Sequence, residues 1–454
     1  MKSRTTTEVR YPPQIKFIIG NEACERFSYY GVMGILEMYL KERMAMGSSG
    51  ATEVLHLFGA AVYFLPLVGG WLADRFLGRY ATILYISLFY CLGHACMAAF
   101  GSTLYGLYAG LALLALGAGG IKPCVSAFVG DQFPPGNDHA LAKVYGWFYW
   151  AINLGAAAGY FIIPVIHREA GYAWAFGVPG IFMGLATLIF WLGRKYYVRK
   201  PPQPPAQTIG IFRVLGYGLS RLGIGKNALP PDEERDAKAT LNILMIFCTA
   251  PMFWALFNQV NSNWVLQGDA MIPAWHWRSD FLLNGETMQS AGAVLVMIWV
   301  PVLSFVVYPL LEKIGIEPTA LRRMSAGMVL GAASFVVSGW IQARLDHGEH
   351  LSIAWQLAPY TVLEAGEVLL SATALEFAFS QAPESMKSII MSFWLMTIAG
   401  GHFLVAAFTD LNDRFVHARG ATEYYFYSGL MFAVAAIFIA CAVFYRPPLP
   451  VNAR

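Results

Sequence analysis

The sequence predicts an all-α integral membrane protein with twelve transmembrane helices arranged as two sets of six. Three observations carry this reading: scarce charge, a succession of apolar stretches of membrane length, and one polar connector near the midpoint. Of 454 residues, 57% are hydrophobic and only 13% are charged, whereas soluble chains give about a quarter of their residues to charge. So few ionisable side chains cannot coat several soluble domains. The formal net charge of +3 supplies no electrostatic reason for a nucleic-acid partner. The cysteines, Cys24, Cys91, Cys96, Cys124, Cys248 and Cys441, lie in apolar stretches with no CxxC pair, so they read as small hydrophobes, and neither a metal nor an organic cofactor is expected.

Residues Met1 to Gln14 are polar and end in Pro12 and Pro13. With no short apolar core and no small-residue cleavage site, they read as a retained segment. A run of about 20 apolar residues crosses the hydrocarbon as a helix. Such runs begin near Ile15, Val54, Ala81, Leu104, Leu141 and Tyr172, and again near Ala239, Glu286, Leu321, Ile353, Ser385 and Tyr424. The expected organisation is a six-helix bundle over 1–194, a linker over 195–238 and a second six-helix bundle over 239–454. The linker holds Arg199, Lys200, a PPQPP stretch and the charge run from Asp232 to Lys238. Within it, Ile209 to Leu222 spaces apolar residues by three or four around Arg213 and Arg221, a pattern that suits either a short surface helix or an ordinary linker.

An even number of spans puts the linker and both termini on one side. That side carries about 22 Lys or Arg against about 7 on the other, so it is read as cytoplasmic. The expected location is the cell membrane, as a monomer surrounded by lipid. Six spans plus six is the arrangement of major facilitator transporters, whose halves are related by pseudo-symmetry around a shared site. One faint internal echo supports it: Asp74-Arg75-Phe76-Leu77-Gly78-Arg79 after span two, and Glu312 to Arg323 after span eight.

Several charges fall inside the spans: Glu22, Glu25 and Arg26 in span one, Lys122 in span four, and Glu364, Glu367 and Glu376 in span ten. Each costs about 2.5 kcal/mol or more at mid-membrane, so each calls for a function or a partner. Counted from the cytoplasmic ends, Arg26 lies about 16 Å deep, Lys122 about 14 Å and Glu367 about 20 Å. Two cations from the first half and an anion from the second would suit a zwitterion. The plainer alternatives are that Glu22 and Arg26, at i and i+4, neutralise each other, and that Lys122 snorkels towards the cytoplasm. Glu376, nine residues past Glu367, lies on the opposite helical face and reads as structural.

The string Glu22-Ala-Cys-Glu25-Arg26-Phe27-Ser28-Tyr29-Tyr30-Gly31 resembles the ExxERFxYYG motif of the proton-dependent oligopeptide transporter family, a branch of the major facilitators. Similar correspondences run through Gly69-Gly70 to Asp74 with Gly78, Gly119-Gly120-Ile-Lys122-Pro123, and Phe148-Tyr149 to Asn153-Leu-Gly155. They continue with Phe253-Trp254-Ala255, Gly366-Glu367 to Ser371, and Leu375-Glu376-Phe377 up to Ala382-Pro383. The resemblance implies proton-coupled import of di- and tripeptides by alternating access, with Arg26 and Lys122 facing the peptide carboxylate and Glu367 the amino terminus. It also implies a pocket lined by Tyr29, Tyr30, Tyr63, Asn153, Trp254, Asn258, Ser371 and Trp394. Glu22 and Glu25 would join a proton-linked network around Arg26, and His56 matches a histidine tied to proton coupling in animal members, although it could equally be structural.

Three positions depart from the family pattern. Met33 stands where many members carry Arg and Asn258 where they carry Asp or Glu, so both partners of one ion pair are missing and the outer gate is expected to close differently. Gly292 stands where Asn is common, which removes a polar contact from the expected pocket. The fold also hosts carriers of nitrate, drugs or other metabolites, and binding alone would suit a non-transporting peptide receptor. An enzyme is not expected, because the histidines form no HExxH.

Overall fold

The structure is a computed structural model and describes residues 11–134, 138–202, 211–221, 229–277, 280–383 and 386–445. Ten of its helical segments are long and apolar enough to cross a membrane by length and composition. The helices α1 (Ile15–Met38) and α15 (Leu357–Gln381), of 24 and 25 residues, carry all the intramembrane charges read from the sequence except Lys122 and complete the twelve. Two compact units emerge, Met1–Val32 with Leu65–Pro204, and Met33–Phe64 with Pro205–Arg454.

The first unit contains α1 as far as Val32, followed by α3 (Pro66–Leu72), α4 (Arg79–Phe100), α5 (Leu104–Asp131), α6 (Asp138–Ala170) and α7 (Tyr172–Leu192). Small residues set the close approaches. A Cβ on Gly155 of α6 would lie 2.5 Å from the Ala23 carbonyl and 3.0 Å from Arg26 Cβ of α1, and one on Gly159 would lie 2.6 Å from the Phe27 carbonyl. This GxxxG spacing lets two backbones meet where lipid tails offer no hydrophobic drive to pack. Gly69 and Gly120 do the same for α3 and α5, where a Cβ on Gly69 would lie 2.6 Å from Gly120 Cα. These contacts fix the helices that bear Arg26 and Lys122.

The second unit takes in the end of α1, then α2 (Gly47–Phe64), α8 (Ile211–Arg221), α9 (Pro231–Phe247), α10 (Ala250–Phe257), α11 (Asn263–Asp269), α12 (Ser290–Val302), α13 (Tyr308–Lys313), α14 (Ala320–Asp346), α15, α16 (Lys387–Leu411) and α17 (Ala421–Phe444). Its core gathers Phe253, Trp264, Met328, Phe335, Tyr360 and Met431. The stretch 33–64, which belongs to the first six spans by sequence, packs here, with α2 lying along α16.

Several boundaries differ from those read in the sequence. Span two starts at Gly47, seven residues early, and runs to Leu77 through Pro66 and a π-turn. Span seven starts at Pro231, so the charge run assigned to the linker forms its first turns; a proline at the first helical position and carboxylates at the positive end of the helix dipole favour this start. The surface helix does form, as α8, with Arg213 Nη2 3.0 Å from Glu233 Oε2 and the Tyr217 hydroxyl donating to Glu234 Oε1 at 2.7 Å. The sequence did not signal a two-stranded hairpin, β1 (Ala274–Trp277) with β2 (Asp280–Leu283), antiparallel and pairing Ala274 with Leu283.

The internal echo acquires a structural counterpart. In the first unit Arg79, after span two, pairs with Asp131 at the end of span four at 2.6 Å. In the second unit Arg323, at the start of span nine, pairs with Glu376 near the end of span ten at 2.9 Å. Each basic group follows the second span of its half, and each acid lies at or near the end of the fourth.

Candidate functional site

The charges of span one form a compact cluster on α1. Arg26 Nε donates to Glu22 Oε1 at 2.6 Å and lies 3.2 Å from Glu25 Oε2. The two carboxylates are almost fully buried and the guanidinium keeps 12% exposure. Burying one of these groups alone would be prohibitive, so each one's presence requires the others. Lys122 of α5 does not snorkel: its ammonium lies over the Tyr29 ring, 4.0 Å from the centroid, a cation–π contact. Tyr29 packs edge-on to Tyr30 at 5.1 Å, and Tyr30 meets Tyr160 of α6 at 5.1 Å. Asn153 of α6 donates to its own helix at Tyr149 O. Arg26, Lys122 and two aromatic hydroxyl bearers thus sit together in one unit, chemistry suited to gripping a carboxylate bidentately.

The second unit holds the remaining expected residues. Trp254 and Trp394 meet edge to face at 5.9 Å, flanked by Phe257 and Phe247. Trp254 Nε1 is buried without a hydrogen-bond partner among the described residues, which leaves a donor for a bound molecule. On α15, Glu367 and Ser371 are one turn apart, and the Ser371 hydroxyl hydrogen-bonds the Glu367 carboxyl. Met33 and Asn258 are both buried, and Asn258 Nδ2 has no partner among the described residues. A charged residue at either position alone would therefore be buried.

His56 is fully buried rather than poised at a loop. Its Nδ1 lies 2.9 Å from His402 Nδ1 and its Nε2 lies 2.8 Å from Ser262 Oγ. Tyr63 stacks on the same His402 ring at 5.9 Å, so its ring belongs with this pair. Gly59 makes room for it, since a Cβ there would lie 2.5 Å from His402 Nδ1. Sequence reasoning missed His402 and Ser262. A lone histidine in an apolar helix looks like core, and only the fold brings α16 to α2.

Near these, Gln289 Nε2 donates to Gly34 O at 3.0 Å and Thr52 donates to Glu37 Oε1 at 2.8 Å. These buried polar contacts join residues 33–64 to the segment leading into α12 and to each other. No group of three or more His, Cys, Asp or Glu that could hold a metal ion occurs among the described residues.

Fold and ionisable groups together define a multi-pass membrane protein of the major facilitator type. The chain belongs to the POT family, whose model matches residues 80–222 and 223–425. Solute carrier family 15 member 2 of Rattus norvegicus is 34% identical over 394 residues, covering 80% of this chain and 54% of its own length. Solute carrier family 15 member 1 of Mus musculus is 35% identical over 382 residues, covering 74% and 52%. The chain therefore spans about half the length of these curated relatives. Two solved structures match it almost end to end. An auto-inhibited POT family peptide transporter is 37% identical with a TM-score of 0.87, covering 98% of this chain and 99% of that one. The POT family transporter PepTSo is 36% identical with a TM-score of 0.85, covering 96% and 98%.

Proposed function

We propose that this chain is a proton-coupled symporter that imports di- and tripeptides by alternating access. The observation that carries the reading is the buried set of Arg26, Glu22 and Glu25 on one helix beside Lys122 on Tyr29. Arg26 and Lys122 take the peptide carboxylate, and Glu367 with Ser371 takes the amino terminus. Trp254 and Trp394 give side-chain pockets that tolerate many shapes because aromatic faces make few directional demands. When the cargo's carboxylate engages Arg26, Glu22 and Glu25 lose part of their partner, and a proton restores neutrality; this is how the cluster ties proton uptake to binding. Asn153, Tyr30, Tyr63 and Asn258 complete the polar lining.

His56 belongs to the proton-linked set through its contact with His402. The bundles are 1–194 and 239–454, joined by the linker at 195–238, with both termini cytoplasmic in a cell membrane. With Met33 and Asn258 both uncharged, the outer gate closes through contacts other than an ion pair between these positions. The chain works as a monomer. In reconstituted vesicles an inward proton gradient is expected to accumulate a labelled dipeptide, whereas its amide and its N-acetyl form are not accumulated. Equal accumulation of all three forms would refute the assignment of the two ends.

A further inference from the structure

Glu364 is a charge the peptide reading leaves unused. It lies on α15 three residues before Glu367, on the same helical side, and is 3% exposed. Its Oε2 finds no hydrogen-bond partner among the described residues. Its Oε1 packs against Gly292 of α12, where an added Cβ would lie 2.5 Å away. The Gly292 departure is thereby explained: the space an Asn side chain would fill is taken by a carboxyl group from the facing helix.

The ionisable groups that act on Glu364 and its neighbour Tyr360 at this point are Glu367, Glu364 and Tyr360 themselves, all on α15. Of the helices packed against α15, chiefly α12 and α14, α14 brings Arg323 to Glu376 near the far end of α15, and no cation acts on Glu364 among the described residues. Two carboxylates one turn apart, with no cation and low dielectric, cannot both be ionised. One must hold a proton. Ser371 serves Glu367, which leaves Glu364 as the group with no cation acting on it and no hydrogen bond to Oε2 among the described residues.

We propose that Glu364 is a second proton-carrying residue of the transport cycle, neutral while packed under Gly292 and giving its proton to water when the α12–α15 face becomes wet. The step balances simply, since the O–H bond of the carboxylic acid breaks and a water molecule takes the proton. It rests on the symport reading above, and it separates two roles: Glu367 meets the cargo's ammonium, and Glu364 beside it carries a proton.

Two measurements on the reconstituted full chain test it. Infrared spectra across a pH titration report buried protonated carboxyl groups without any cargo; the Glu364→Gln variant is expected to lack one such band, and Gly292→Ala to shift it. In vesicles, losing one coupled proton lowers steady-state dipeptide accumulation by about tenfold for a gradient of about one pH unit, while gradient-free exchange of dipeptide continues. Wild-type accumulation by E364Q overturns the proposal, as does a spectrum unchanged by the substitution. If the wild-type chain exchanges no dipeptide at all, the symport reading falls instead. The titration then still decides whether Glu364 gives up a proton, and a band that persists at every pH overturns the proposal.

Discussion

His56 and His402 face each other nitrogen to nitrogen, Nδ1 to Nδ1 at 2.9 Å, inside a fully buried contact of α2 with α16. Such a pair holds when one ring donates and the other accepts, so at least one imidazole is neutral at that nitrogen. Charging both rings would place two cations about 3 Å apart in a dry site, which destabilises the contact. The dry site opposes charging, so the α2–α16 contact is expected to persist from about pH 7.5 to about pH 5.5. A cysteine introduced at Ser49, near the start of α2, should label at the same slow rate at both pH values. In the His402→Leu variant, which removes the hydrogen bond, labelling should be faster at both; faster labelling at the lower pH with His402 in place would show that the pair charges in that range. Loss of the hydrogen bond should also lower the thermal midpoint, at a cost of about 1–3 kcal/mol.

Arg26 neutralises two carboxylates and cannot be removed alone without consequence. Arg26→Ala leaves Glu22 and Glu25 buried without their cation, a cost of about 3–5 kcal/mol. Uptake should be lost and the midpoint lowered. Arg26→Lys keeps the charge but not the planar fork, so it is expected to fold well yet bind dipeptide at least about tenfold more weakly. Thermal melts and ligand titration separate the two effects. If Arg26→Lys binds like the wild type, bidentate recognition by this residue is excluded.

The helical spans and the charges on them were legible because burying a charge in hydrocarbon is so costly that each one stands out. Glu22, Glu25, Arg26 and Lys122 were found this way, and the structure brings them to one place. What depended on which helices meet was not legible. His402 has no local signal, and Gly292 read as the loss of a polar group until Glu364 was found filling its space. The hairpin at 274–283 was missed because strands of four residues give too little alternation to register. Breaks within span seven, at Ser262 with its φ of −132° and ψ of −93°, arise from backbone geometry that an apolar run does not encode.

Met33 and Asn258 replace an ion pair with neutral residues, and both sites are buried. Restoring only the cation, as Met33→Arg, buries an uncompensated charge and should destabilise by about 3–5 kcal/mol. Adding Asn258→Asp supplies its partner. The double variant is expected to recover most of that loss in thermal melts, so that its cost is smaller than the sum of the two single costs in the four-way cycle. A double variant no more stable than Met33→Arg would show that the two positions do not pair in this chain.

Gly159 sets how closely α6 can approach the helix that carries Arg26. A Cβ there would lie 2.6 Å from the Phe27 carbonyl and 2.9 Å from the Gly31 nitrogen. Both neighbours are backbone atoms, so no side-chain rotation relieves the clash and the helices must separate. Gly155 meets the same helix one turn earlier, at Ala23 O and Arg26 Cβ, so separation displaces the guanidinium along with its two carboxylates. Gly159→Val is therefore expected to cost about 1–3 kcal/mol in stability and to weaken dipeptide binding, although position 159 itself would touch no cargo. Gly184, where a Cβ would meet nothing within 4 Å, is the control, and Gly184→Ala should leave melts and binding as in the wild type. Near-wild-type behaviour of Gly159→Val would show that this close approach does not position Arg26.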